Sequence, residues 1–264
     1  MKKTVLGIVA ACTVLGAAMT ASAQTRYPLE FNQRPITLPA RTLRIDGDLQ
    51  FNATTASVTT GGVTQSTTSV ATSLLLGGGI GLTDDLELGG LIAPIQLNPE
   101  ARYGNPSVYG RYRIARGPTE LSLDGAFVVP TRSGEVAALQ LGASALIRTL
   151  NAGRFDLGGH IRINFSDPTS TDFIVPVRYA FQVNPQTAIG VSTGLFVPNN
   201  FKFDFATIPL GVFGRLALPG VNGTPVADIV AAFDFNNFIQ FGGSDAVSVG
   251  SWAITLGGRF YLGT

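Results

Sequence analysis

The chain has 264 residues, 45% of them hydrophobic and only 13% charged, with a formal charge of +1. Soluble domains carry about 25% charged residues, so this composition sits badly with an ordinary soluble domain, and so small a net charge gives no reason to expect a nucleic-acid partner. Beyond the N-terminus no run of about 18 apolar residues appears, which excludes a helical membrane span there. Apolar excess without apolar runs fits strands whose greasy residues stand at every other position.

Met1 to Ala23 reads as a secretory signal. Lys2 and Lys3 form a charged start, an apolar stretch follows, and Ala21-Ser22-Ala23 is a small-residue cleavage site, so cleavage is expected before Gln24. Removing the two lysines takes the formal charge from +1 to −1. A rival reading is lipidation at Cys12, because Val9-Ala10-Ala11-Cys12 resembles a lipobox, although the apolar stretch ahead of it is very short. Cys12 is the only cysteine, so the processed chain has no disulfide or thiol chemistry. Residues 24–42 form an irregular lead-in broken by Pro28, Pro35 and Pro39. It either hangs free on the periplasmic side or tucks into the mouth of whatever follows.

Leu43 to Thr54 sets the pattern for the rest. Leu43, Ile45, Gly47, Leu49, Phe51 and Ala53 alternate with Arg44, Asp46, Asp48, Gln50, Asn52 and Thr54, which is a strand with one apolar and one polar face. Soluble strands run to about 5–6 residues, whereas strands crossing a membrane need about 9–11. The same pattern predicts a Ser/Thr/Gly-rich loop through Ser69 and further strands at Val70–Leu82, Leu86–Ile95, Ser107–Ala115, Glu120–Val129, Val136–Thr149 and Phe155–Phe165. It continues with Phe173–Val183, Thr187–Val197, Thr207–Leu218, Val226–Asn236 and Ala246–Leu262. Longer connections alternate with mostly shorter ones, and Pro94, Pro130, Pro176, Pro198 and Pro209 fall at or near strand ends on the long-loop side. Aromatics gather toward strand ends: Phe51, Phe127, Phe165, Phe173 and Phe235 on one side, Phe155, Phe181 and Phe260 on the other. A soluble β-sandwich explains alternation but not this length or these aromatic girdles. The expected fold is all-β, a transmembrane antiparallel up-and-down β-barrel over residues 43–264 with about twelve strands, within a range of ten to fourteen.

The signal segment, the long alternating strands and the final strand through Trp252, Ile254, Leu256, Phe260 and Leu262 resemble a Gram-negative outer-membrane β-barrel of porin-like type. In that family the last residue is usually aromatic; here the chain ends in Thr264. The resemblance implies outer-membrane lipid and lipopolysaccharide around the barrel, insertion by the barrel-assembly machinery, and both termini in the periplasm. It says little of function, because one barrel fold hosts pores, enzymes and anchors, and it leaves the oligomeric state open.

Placing the polar faces inward gives expected neighbours across the tight turns: Arg111 with Asp124, Arg148 with Asp156, and Arg215 with Asp228. These read as structural charge pairs in the lumen. Across the loop from Ser166 to Asp172, Arg162 is expected to face Arg178, with His160 nearby. That forms a basic spot suited to anions, unless Asp124, Asp234 or another lumen acid reaches across to relieve it. The leading expectation is therefore a passive pore for small polar or anionic solutes, and no enzyme. The alternatives are a non-conducting structural or surface-exposed barrel and, more remotely, a lipid hydrolase using His160 with Ser144. Asp167 and Asp172 do not complete a calcium loop. One histidine and no processed cysteine leave little for a transition metal, and no phosphate-binding glycine motif appears. No cofactor is expected.

Overall fold

The computed structural model describes residues 27–60, 63–149, 152–220, 223–241 and 247–263. The expected signal segment, its cleavage point before Gln24, and Cys12 lie outside the described residues. Among the described residues, twelve strands close an antiparallel up-and-down barrel. They are β1 (Leu43–Thr60), β2 (Val63–Gly81), β3 (Leu86–Asn98), β4 (Ser107–Ala115), β5 (Thr119–Val128) and β6 (Ala138–Arg148). The rest are β7 (Gly153–Asn164), β8 (Ser170–Gln182), β9 (Thr187–Val197), β10 (Thr207–Pro219), β11 (Pro225–Gln240) and β12 (Val247–Leu262). A two-residue strand, Arg102–Tyr103, rides on β3 beyond β4. Each strand pairs with its sequence neighbours, and β1 pairs with β12 from Leu43↔Leu262 to Val58↔Val247 to close the ring.

The alternation decides which side each residue takes. In β4, Val108, Tyr112 and Ile114 are 59%, 53% and 54% exposed on the outside, while Arg113, one residue out of phase, is 9% exposed inside. The outer face is a continuous apolar belt with Phe155, Phe181 and Phe260 near one rim and Phe127, Phe165 and Phe235 near the other. A closed barrel leaves no strand edge unpaired, and an apolar exterior suits only lipid.

Two expectations are corrected, and one left open is decided. The Ser/Thr/Gly-rich stretch is no loop: β1 and β2 run on as one ladder to Thr60↔Val63. Threonine and serine favour strands when their hydroxyls pair across the ladder, as Thr55 does with Thr68 (2.9 Å) and Ser57 with Ser66 (2.7 Å). The hairpin's 18 and 19 residues span roughly 60 Å along the strand, about twice the hydrocarbon thickness, so it rises beyond the apolar belt. Second, Pro94 and Pro176 stand inside β3 and β8, not at their ends. Proline has no amide to donate, and the β7–β8 pairing passes from Leu157↔Val177 to His160↔Ile174, leaving Gly158 and Gly159 unpaired opposite Pro176 and Val175. Of the two placements left open for the lead-in, the described residues take the one inside the barrel mouth.

Residues 27–42 enter the barrel at the end where the short turns lie. Their prolines keep the backbone extended, so its amides must bond to the wall. The amides of Ile36, Leu38 and Ala40, every second residue, donate to Glu120 (2.9 Å), Glu87 (2.9 Å) and Asp84 (3.0 Å). Tyr27 and Leu38 of this plug form a buried apolar cluster with Tyr261 of β12. A short 3-10 turn at Phe31–Gln33 lies against β8 and β9.

Candidate lumen site

The interior is a network of ion pairs. Arg111 stands opposite Asp124 as expected and bonds it at 2.7 Å. Arg215 also reaches Asp228, with Nε at 2.9 Å, but along a diagonal. Its Cα neighbour is Val230, and Asp228 faces Ala217. A long side chain spans such a two-residue offset.

The pairing of Arg148 with Asp156 is not formed. β7 begins at Gly153, two residues before the expected Phe155, and Arg148 faces Arg154 while Asp156 faces Leu146. Arg154 bonds Asp156 along its own strand, at 2.9 Å to each oxygen. Arg148 instead holds Glu120 at 2.6 Å and the plug carbonyls of Asn32 and Arg34, each at 3.0 Å.

The facing pair Arg162–Arg178 is also overturned. β8 begins at Ser170, inside the expected loop, which slides the register by six residues and so preserves inward parity. Arg162 now faces Asp172 and Arg178 faces Asp156. Like charges are costly side by side, and the shorter loop removes that cost. The two arginines therefore form no joint basic spot. Arg162 is half-buried, with its Nε lacking a partner among the described residues; Asp172 is taken by Asn164 (2.9 Å) and the Asn199 amide (3.1 Å). Arg178 is exposed to the lumen. Among the described residues it makes no ion pair, and its guanidinium lies 5.9 Å from the centre of the Phe213 ring.

His160 is 8% exposed, and its Nε2 lies 3.4 Å from Asp124 Oδ2. The Ser144 hydroxyl donates to the same oxygen. Ser144 and His160 are thus bridged by a carboxylate and not bonded to each other. A nucleophile relay needs serine bonded to histidine and histidine bonded to the acid, and this geometry is different. His160 fits because Gly142 and Gly158 flank its ring: a Cβ on Gly142 would lie 2.3 Å from its Cδ2.

Sequence reasoning missed the plug's part in this site. Arg34, 1% exposed, bonds Asp228 at 2.6 and 3.0 Å, and Tyr261 donates to the same carboxylate at 2.6 Å. The Phe31 ring receives Arg154 and Arg215, each guanidinium 4.5 Å from its centre, a cation–π arrangement. On the opposite wall Arg44 bonds Asp46 at 2.9 Å and lies 3.6 Å from Glu87. Between plug and wall remains a cavity of about 360 Å³. Arg34, Arg44, Arg111, Arg154, Arg178 and Arg215 line it, with His160, Pro35 and Pro176. One signal was available: Glu87 and Glu120 stand at inward positions near the short turns, and buried carboxylates need donors, which an incoming extended segment supplies.

No family model matches the chain, and no curated protein matches it. Among solved structures, an outer membrane channel from Pseudomonas putida is 16% identical, covers 86% of this chain and 97% of its own, and superposes with a TM-score of 0.57. The NanC porin is 9% identical, covers 81% of this chain and 100% of its own, and gives 0.54. The fold is that of these outer-membrane barrels. Both similarities are confined to architecture, and the residues of the lumen must speak for function.

Proposed function

We propose that the protein is an outer-membrane barrel that passes small polar solutes, anions above others, by diffusion along a lumen narrowed by its own N-terminal segment. The observation that carries this reading is Arg178, a cation open to the lumen with no carboxylate partner among the described residues. A lone guanidinium in a narrow aqueous path attracts anions and repels cations. The solute would move without cofactor or covalent chemistry. The carboxylate bridge between Ser144 and His160 supports a non-enzymatic role. The apolar belt would sit in outer-membrane lipid and the lipopolysaccharide leaflet.

The test is single-channel recording in a planar bilayer, with the reversal potential taken under a salt gradient. Discrete steps with anion preference are expected, and Arg178→Gln should move the reversal potential toward zero. Cation preference would overturn the reading. A second reading has its own support, because the plug is held by many wall contacts. If folded protein gives no steps, the barrel is a non-conducting structural element.

A further inference from the structure

We infer that the cavity between the plug and the wall of β7, β8 and β10 binds a small organic anion, a carboxylate on a compact apolar body. The inference rests on the pore reading for how the solute arrives, and on the cavity itself for what is held there.

The charges around the cavity fix the head group. Arg34 and Arg215 share Asp228, Arg154 holds Asp156, Arg111 holds Asp124, and Arg44 has Asp46 and Glu87. Six guanidinium groups therefore meet five carboxylates, an excess of one, and the unmatched group is Arg178. Asp156 is its neighbour across the ladder, but both oxygens of that carboxylate are taken by Arg154. One free guanidinium on the cavity wall suits one carboxylate, which it can grip with two parallel hydrogen bonds. A multiply charged phosphate would meet the five fixed carboxylates with only one cation to spare.

Two further features shape the rest of the ligand. His160 lines the same cavity, and its Nδ1 is buried without a partner among the described residues. Such a ring nitrogen costs free energy unless a ligand or water completes it. Phe31, Pro35, Ile36 and Pro176 put apolar surface among the charges, beside the hydroxyls of Thr37 and Ser144. A cavity of about 360 Å³ lies at the small end of ligand pockets, which suits an aryl or short branched carboxylate and excludes an oligosaccharide.

The probe is fluorobenzoate, followed by fluorine NMR with the full protein purified in detergent. Uncharged fluorobenzyl alcohol reports partition into micelles. One saturable site per chain is expected for fluorobenzoate and none for the alcohol. Arg178→Gln should weaken binding about tenfold, and Arg178→Lys should recover part of it by restoring the charge. Arg132→Gln, in an exposed connection away from the cavity, should change nothing. Arg178 makes no ion pair, so these variants are expected to fold, and heat-modifiable gel mobility checks that they have. Absence of saturable binding, equal binding of the alcohol, or competition by inorganic phosphate as strong as by benzoate would each overturn the assignment. The arms also separate the two readings. A barrel that conducts without binding benzoate refutes the site and leaves the pore; one that binds benzoate without conducting refutes the pore and leaves the site.

Discussion

Asp228, 1% exposed, is joined to Arg34 from the plug, Arg215 from β10 and Tyr261 from β12. Removing one member of a buried pair strands the other's charge, at a cost of about 3–5 kcal/mol. Asp228→Asn should therefore loosen the plug, read as faster tryptic cleavage after Arg34 and Arg41 in protein whose barrel stays folded. An unchanged cleavage rate would mean that Asp228 does not anchor the segment. Asp85, in the turn before β3, carries a pH dependence. Its bond to Arg116 holds the carboxyl below the usual carboxylate range, and Arg113 acts in the same direction against the opposing effect of burial. A folded-state value below the unfolded one gives stability that is present above about pH 4 and fades as pH falls further. Urea unfolding between about pH 5 and pH 2 should show Asp85→Asn losing less stability on acidification than the parent. At this scale the sequence showed Arg111–Asp124, whose register it placed directly, and Arg215–Asp228, because a long side chain forgives a two-residue offset. It misassigned Arg148, Arg162 and Arg178, because a turn's length fixes which residues oppose, and Ser166 to Asp172 looked like loop until Ser170 proved to begin β8.

Two elements set how the lumen behaves, the plug and the seam between β7 and β8. Gly81 ends β2 against the plug, and a Cβ there would lie 1.9 Å from the Pro39 carbonyl oxygen. Gly81→Ala should push the segment off its seat while the rest of the wall stays intact. Larger single-channel currents with unchanged heat-modifiable gel mobility are expected; equal currents would show that the plug does not limit flow. At the seam, the interrupted pairing at Gly158 and Gly159 predicts faster amide hydrogen exchange there than in the flanks of β7, and protection equal to the flanks would contradict it. Strand length and alternation were legible for most of the wall; Ser107–Ala115 and Thr187–Val197 fall where the pattern put them. The tall β1–β2 hairpin was not, since a run of serine and threonine reads as loop until a partner strand supplies its hydroxyl bonds. Nor was the plug's seat, because each of its contacts joins residues far apart in sequence, such as Leu38 to Glu87 and Arg34 to Asp228.

The whole molecule is a ring whose first and last strands meet along Leu43↔Leu262 to Val58↔Val247. The plug touches that ring nearly all the way round, from β3, β5, β6 and β7 to β11 and β12. Its seat therefore exists only once the circle is complete. Joining strands that far apart along the chain carries a large loop-closure cost and is slow. The segment that precedes β1 is consequently among the last to settle. During assembly the lumen must stand open and charged until Arg34 finds Asp228, and the order of maturation is written into connectivity: wall first, stopper afterwards.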